Sequence, residues 1–208
     1  MFDIRCEMAK DPDTPADVLE ELSNHHHGVV QFYVARNPSM PIAILEKLSN
    51  DPFYLGRLGV AQNRSTPTII LKKLSNDQDI VVQFGVAENP STPTIILEKL
   101  SNDKDRELRI YVAKNPSTPI AILVKLANDT DCMIQQKVVE NLNTPIAIVE
   151  EYLLRFFKHA KNLNAKDEED KREITLSIRG LRKFRKHNLS KDMKAQLDDV
   201  VNYLKNKK

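Results

Sequence analysis

The chain has 208 residues, 41% hydrophobic and 29% charged, a balance that suits a folded protein and excludes a low-complexity one. No apolar run approaches the roughly 18 residues a membrane-crossing helix needs, and the opening MFDIRCEMAK has neither the basic nor the apolar part of a secretory leader. The net charge of +2 conceals an asymmetry: residues 155–208 carry 16 Lys/Arg against 8 Asp/Glu, and residues 1–154 carry 15 against 21.

All 11 prolines fall at or before Pro145, so composition shifts near residue 150 and divides the chain into 1–154 and 155–208. Two cysteines, Cys6 and Cys132, lie in unrelated contexts and read as free thiols of a reducing cytoplasm.

Within the first part the same words return. VARNPSMPIAILEKLSND begins at Val34, VAQNRSTPTIILKKLSND at Val60, VAENPSTPTIILEKLSND at Val86 and VAKNPSTPIAILVKLAND at Val112, each 26 residues after the last. A degenerate copy precedes them from Met8 and a truncated one follows from Val138. A fixed period of this size implies stacked units without a single core.

The first helix of each unit is predicted to start at the Thr-Pro step. Thr66, Thr92 and Thr118 stand as N-caps, with Pro67, Pro93 and Pro119 at the first helical position. Apolar residues then recur at helical spacing, as in Ile96, Leu97 and Leu100. An Asn-Asp step such as Asn102–Asp103 closes the helix, since Asn tolerates the left-handed conformation. A second, more variable helix follows, with Ile80, Val81, Phe84, Val86 and Ala87 as its stripe in one copy. Asn89–Pro90 stops it, because the residue before proline is pushed out of the helical region. Each helix has about ten residues, too short to be stable alone. No strand is expected.

The pattern V-A-x-N-P-S-T-P-x-x-I-L-x-K-L-x-N-D resembles the variant leucine-rich repeat (LRV) family over roughly residues 8–154. The resemblance implies a HEAT-like, right-handed α-solenoid of about five and a half two-helix repeats, in which α-helices alternate with shorter, often 3₁₀, helices. Some relatives carry a cysteine-rich iron–sulfur segment before the repeats; only Cys6 stands there, so no cofactor is expected.

After Pro145 a longer helix is predicted to run to about residue 161, on a stripe including Val149, Tyr152, Leu153 and Phe157. A polar linker, a helix over about 168–187 and a last helix capped by Ser190 complete a C-terminal helical cap over the final repeat.

Several offsets are candidate sites. Lys47, Lys73, Lys99 and Lys125 form a column able to meet phosphates or an acidic surface, or else an ordinary solvated face. Gln31, Arg57, Gln83, Arg109 and Gln135 form a ladder that either recognises a partner or bonds adjacent turns and holds the stack together. Tyr33, Gly59, Gly85 and Tyr111 share another offset, pointing to tight packing or to a ligand groove. Arg182, Lys183, Arg185 and Lys186 surround Phe184 in the tail, either for nucleic acid or to complement a helix dipole.

His25–His27 form a loop run without metal-ligand spacing. No phosphate-cradling loop, nucleophile elbow or carboxylate pair appears. The expected function is a non-enzymatic, cytoplasmic scaffold that binds another protein, with nucleic-acid binding by the lysine/arginine ridge and basic tail as the alternative.

Overall fold

The structure is a computed structural model and describes residues 4–160 and 189–206. The described residues form thirteen α-helices, with no strand and no 3₁₀ segment among them. In chain order they are α1 (Ile4–Lys10), α2 (Ala16–Ser23), α3 (Gly28–Arg36), α4 (Ile42–Leu48), α5 (Tyr54–Gln62), α6 (Thr68–Leu74) and α7 (Ile80–Glu88). They continue with α8 (Thr94–Leu100), α9 (Arg106–Lys114), α10 (Ile120–Leu126), α11 (Cys132–Glu140), α12 (Ile146–Ala160) and α13 (Lys191–Asn206). The shorter helices are α-helical, where the family resemblance implied 3₁₀ turns. Residues 168–187, expected as a helix, lie outside the described residues.

The chain packs as two compact units, residues 1–122 and 123–208, divided inside α10. The composition break near residue 150 falls inside α12 and does not coincide with this division. In the first unit, α1 packs on α3, α3 on α5, α5 on α7 and α7 on α9. The core alternates Leu45, Leu48, Leu71, Leu74, Leu97 and Leu100 from the first helices with the Val-Ala pairs of the second, all essentially inaccessible. Burial stabilises by about 1.5–3 kcal/mol per leucine, and supplies what helices of seven to nine residues lack alone.

The helix ends differ from expectation in instructive ways. α6 and α8 begin one residue beyond Pro67 and Pro93, which hold the extended N-cap conformation. Thr66, Thr92 and Thr118 do not cap forwards; their buried hydroxyls donate 2.6 Å bonds back to the carbonyls of Val60, Val86 and Val112. These carbonyls end the preceding helices, where helical partners run out.

No described residue has a positive φ, so the expected left-handed asparagines are absent. The first helices end instead on Ser49, Ser75 and Ser101 in the right-handed region. The N-caps of α7, α9 and α11 are Asp79, Asp105 and Asp131, whose carboxylates accept backbone N–H bonds two residues on, whereas α3 and α5 start at His27 and Phe53 without a side-chain cap.

The tightest ties between repeats come from the asparagines that end the second helices. Asn63 Nδ2 donates to Ala35 O at 2.7 Å and Asn37 O at 2.8 Å. Asn89 does the same to Ala61 O and Asn63 O, and Asn115 to Ala87 O and Asn89 O. Each Oδ1 accepts the N–H two residues on, as from Ser91 at 2.8 Å. The carboxamide is fully used and fully buried. Proline is not what sets this geometry. Asn63 precedes Arg64 and Asn89 precedes Pro90, yet their ψ angles are 125° and 121°.

Gly59 and Gly85 are packing glycines. A Cβ on Gly59 would lie 2.5 Å from Phe32 O and 2.7 Å from Ala35 Cβ; one on Gly85 would meet Leu58 Cδ1 at 2.8 Å. In the second unit, α13 buries Met193, Leu197, Val200 and Val201 against Val139, Val149, Leu153 and Phe157 of α11 and α12. Ser190 caps α13 by accepting from Met193 N–H, and its own N–H donates to the Glu150 carboxylate.

Asn89→Ala orphans the buried Ala61 carbonyl and the Ser91 N–H and leaves Asn63 O with the Thr66 N–H alone, so a loss of about 2 kcal/mol is expected by chemical denaturation. Asn89→Asp, which sets a carboxylate against those carbonyls, should lose more at neutral pH. Gly59→Ala should destabilise more than Gly85→Ala, because its obstacle is backbone and not the flexible end of a leucine, despite a helix-propensity gain of about 1 kcal/mol at each position.

Candidate functional site

The glutamine/arginine ladder is buried at Gln31 and Arg57 and half-buried at Gln83, Arg109 and Gln135. Arg57 donates from Nε and Nη2 to both carboxylate oxygens of Asp77 in the next repeat, each at 2.7 Å. Its Nη1 donates to Asp51 O and Pro52 O in its own loop. The two side chains are 8% and 7% exposed, so this is a buried bidentate pair. Burial pushes the Asp77 carboxyl up, but the Arg57 hydrogen bonds and charge outweigh it and hold it below the ordinary carboxylate value. The same hydrogen bonds raise Arg57.

The other members bond their own loops: Gln83 to Asp77 O, Arg109 to Asp103 O and Lys104 O, and Gln135 to Asp129 O. Gln31 breaks the pattern, with Nε2 on Asp51 Oδ2 at 2.9 Å and its buried Oε1 lacking a partner. Of the two uses open to this ladder, these bonds serve the one that holds adjacent turns together.

The lysine column is exposed, yet its ammonium groups also reach the preceding repeat. Lys73 donates to Ser49 O at 2.7 Å and to Asn50 Oδ1, and Lys99 to Ser75 O at 2.9 Å and Asn76 Oδ1. Lys47 bonds Asn24 Oδ1. Lys125, at the same offset on α10, is engaged as well. The column sits where each first helix leaves carbonyls unpaired, as cations favour. Arg182, Lys183, Arg185 and Lys186 lie outside the described residues.

What the sequence reading passed over is the apolar outer face of the second helices in the first unit. Val29, Leu55 and Val81 form one column, and Phe32, Leu58 and Phe84 the next; Val29 and Val81 are exposed and the others half-buried. Exposed Phe53, Tyr54 and Ile80 extend the face and rim a cleft of about 640 Å³, with buried Arg57 in its wall. Phe84 stacks on Tyr111 at 5.2 Å, and Lys10, Arg36 and Lys114 lie over the rings of Tyr33, Phe32 and Tyr111. An apolar surface edged by cations has the chemistry of a protein-docking face. The signal was present in each copy, but the residues were counted as core.

Among the described residues no three His, Cys, Asp or Glu side chains converge as a metal site, and no helix is long and apolar enough to cross a membrane. His25 Nδ1 accepts from His27 N–H within its own loop.

Because the folded Asp77 carboxyl titrates below its unfolded value, its contribution to stability is complete above about pH 4 and is lost as pH falls through the lowered value. Asp77→Asn should therefore flatten the acid limb of the stability profile. Arg57→Met alone should cost about 3–5 kcal/mol by stranding a buried carboxylate, while the double replacement costs less; denaturant melts across pH measure both. The chain matches no protein-family model, and no characterised protein matches it.

Proposed function

We propose that the chain is a cytoplasmic, non-catalytic scaffold of the variant leucine-rich repeat type. On this reading its helix pairs form a right-handed α-solenoid of about five and a half repeats, closed by the C-terminal helices. The partner is another protein, docked on the outer face of α3, α5 and α7. The observation that carries this is the apolar surface of Val29, Phe53, Tyr54, Ile80 and Val81, left in solvent while the polar ladders are spent on stacking. Lys10, Arg36 and Lys114 lie over its rings, with exposed Glu88 at the offset of Arg36 and Lys114, and this edge favours an apolar segment with mixed, mainly acidic flanks.

Nucleic acid is the weaker reading. A phosphate would have to compete with Ser49 O, Ser75 O and three asparagine oxygens for the lysines, and with Asp77 for Arg57.

The two separate by salt and by mutation. With the full chain as bait in a host extract, a protein partner should survive nuclease treatment and a rise from about 0.15 to 0.5 M salt, whereas phosphate contacts weaken steeply. Val29→Lys with Val81→Lys should reduce its recovery at least tenfold at an unchanged melting temperature. Recovery unaffected by both lysines, or abolished by nuclease, overturns the proposal.

A further inference from the structure

Apart from Ile4 at 73%, the most exposed isoleucines of the described chain sit on the first helices, one in each of four successive repeats. Ile42 on α4 is 58% exposed, Ile69 on α6 72%, Ile95 on α8 74% and Ile120 at the start of α10 56%. The two residues after each proline read Ile-Ala, Thr-Ile, Thr-Ile and Ile-Ala, an order unchanged when the row is reversed. One turn further on the same side lie Glu46 on α4, Lys72 on α6 and Glu98 on α8, all exposed. Glu46, Ile69 and Lys72 line one shallow groove, so they do share a face. Neither Lys72 nor Glu98 forms an ion pair among the described residues.

We infer that this face binds a second copy of the chain across a two-fold axis that runs along the helices between α6 and α8. An isologous interface requires that residue i meet j and that j meet i. This axis lays α6 of one copy over α8 of the other with their directions preserved. Ile69 then meets the second copy's Ile95, and Ile42 the second copy's Ile120. Lys72 comes over the second copy's Glu98, and Glu98 over the second copy's Lys72, giving two ion pairs related by symmetry. The reversible order of the isoleucines and the opposite charges at matched positions both select this occupant.

Four helices spaced about 8–10 Å apart and each about 10 Å long offer several hundred Å² per copy. That is the low end of specific interfaces, so the dimer is a reversible one in the micromolar range.

Sedimentation velocity of the full chain from about 1 to 500 μM tests this. The wild type should pass from monomer to dimer. Lys72→Glu or Glu98→Lys alone should each weaken association at least tenfold, by setting like charges together, and Lys72→Glu with Glu98→Lys in one chain should restore it. Ile69→Glu should leave a monomer with unchanged helical content. A wild type that stays monomeric throughout, a dimer indifferent to the single substitutions, or a double exchange that fails to restore association would each overturn the inference.

Discussion

The array depends on one side chain, the buried asparagine that ends each second helix of the first unit. A helix terminus leaves carbonyls without helical partners, and in a stack those carbonyls are shut away from water. Asn89 answers for Ala61 O and Asn63 O at once, and offers its own backbone carbonyl to Asn115 in turn. The donor must arrive at the same place in every unit, 26 and 28 residues after its acceptors. Adding or removing one residue between two such asparagines takes the carboxamide away from both carbonyls and strands the one, such as Ala61 O, that has no other donor. This accounts for a period that stays constant even though the second helices differ in sequence from copy to copy.

The other ties follow the same logic in different layers. The second helices approach closely because Gly59 and Gly85 leave room for Phe32 O and Leu58. The first helices are joined by lysines that reach back to serine carbonyls and asparagine oxygens. Between the layers, Arg57 spans from its own loop to the carboxylate of the next repeat, a reach that Gln83 at the same offset does not have. Several charged and polar side chains are thus spent on joining one repeat to the next, and exposed apolar side chains remain on both helix layers. This inverts the usual expectation that a repeated polar residue marks a binding face.

That inversion explains what was legible in the sequence. The helices could be placed, because leucine and isoleucine spacing and the Thr-Pro and Asn-Pro steps report local backbone. The roles of those steps could not, because their partners are distant in sequence. By local sequence Thr66 caps the helix ahead, but it bonds the helix behind; Asn89 reads as a stop, and its two partners lie 26 and 28 residues back. The arginine and glutamine ladder was visible as a ladder, yet nothing in its spacing tells an inward side chain from an outward one. Ile69 and Ile95 sit beside buried Ile70 and Ile96 in identical words, so exposure could not be assigned without coordinates.

A consequence for function follows from where the stacking energy resides. Repeats of this kind draw stability from contacts with their neighbours, and here those contacts use asparagine, lysine, arginine and core leucine. The exposed side chains of Val81, Phe53, Ile69 and Lys72 supply none of the hydrogen bonds that tie one repeat to the next. Surface changes at such positions cost little stability, so each outer face is free to be shaped for recognition without loosening the array. Two faces built on separate helix layers would then serve the two proposed interactions, one with a different protein and one with the chain itself. Neither needs the other to form.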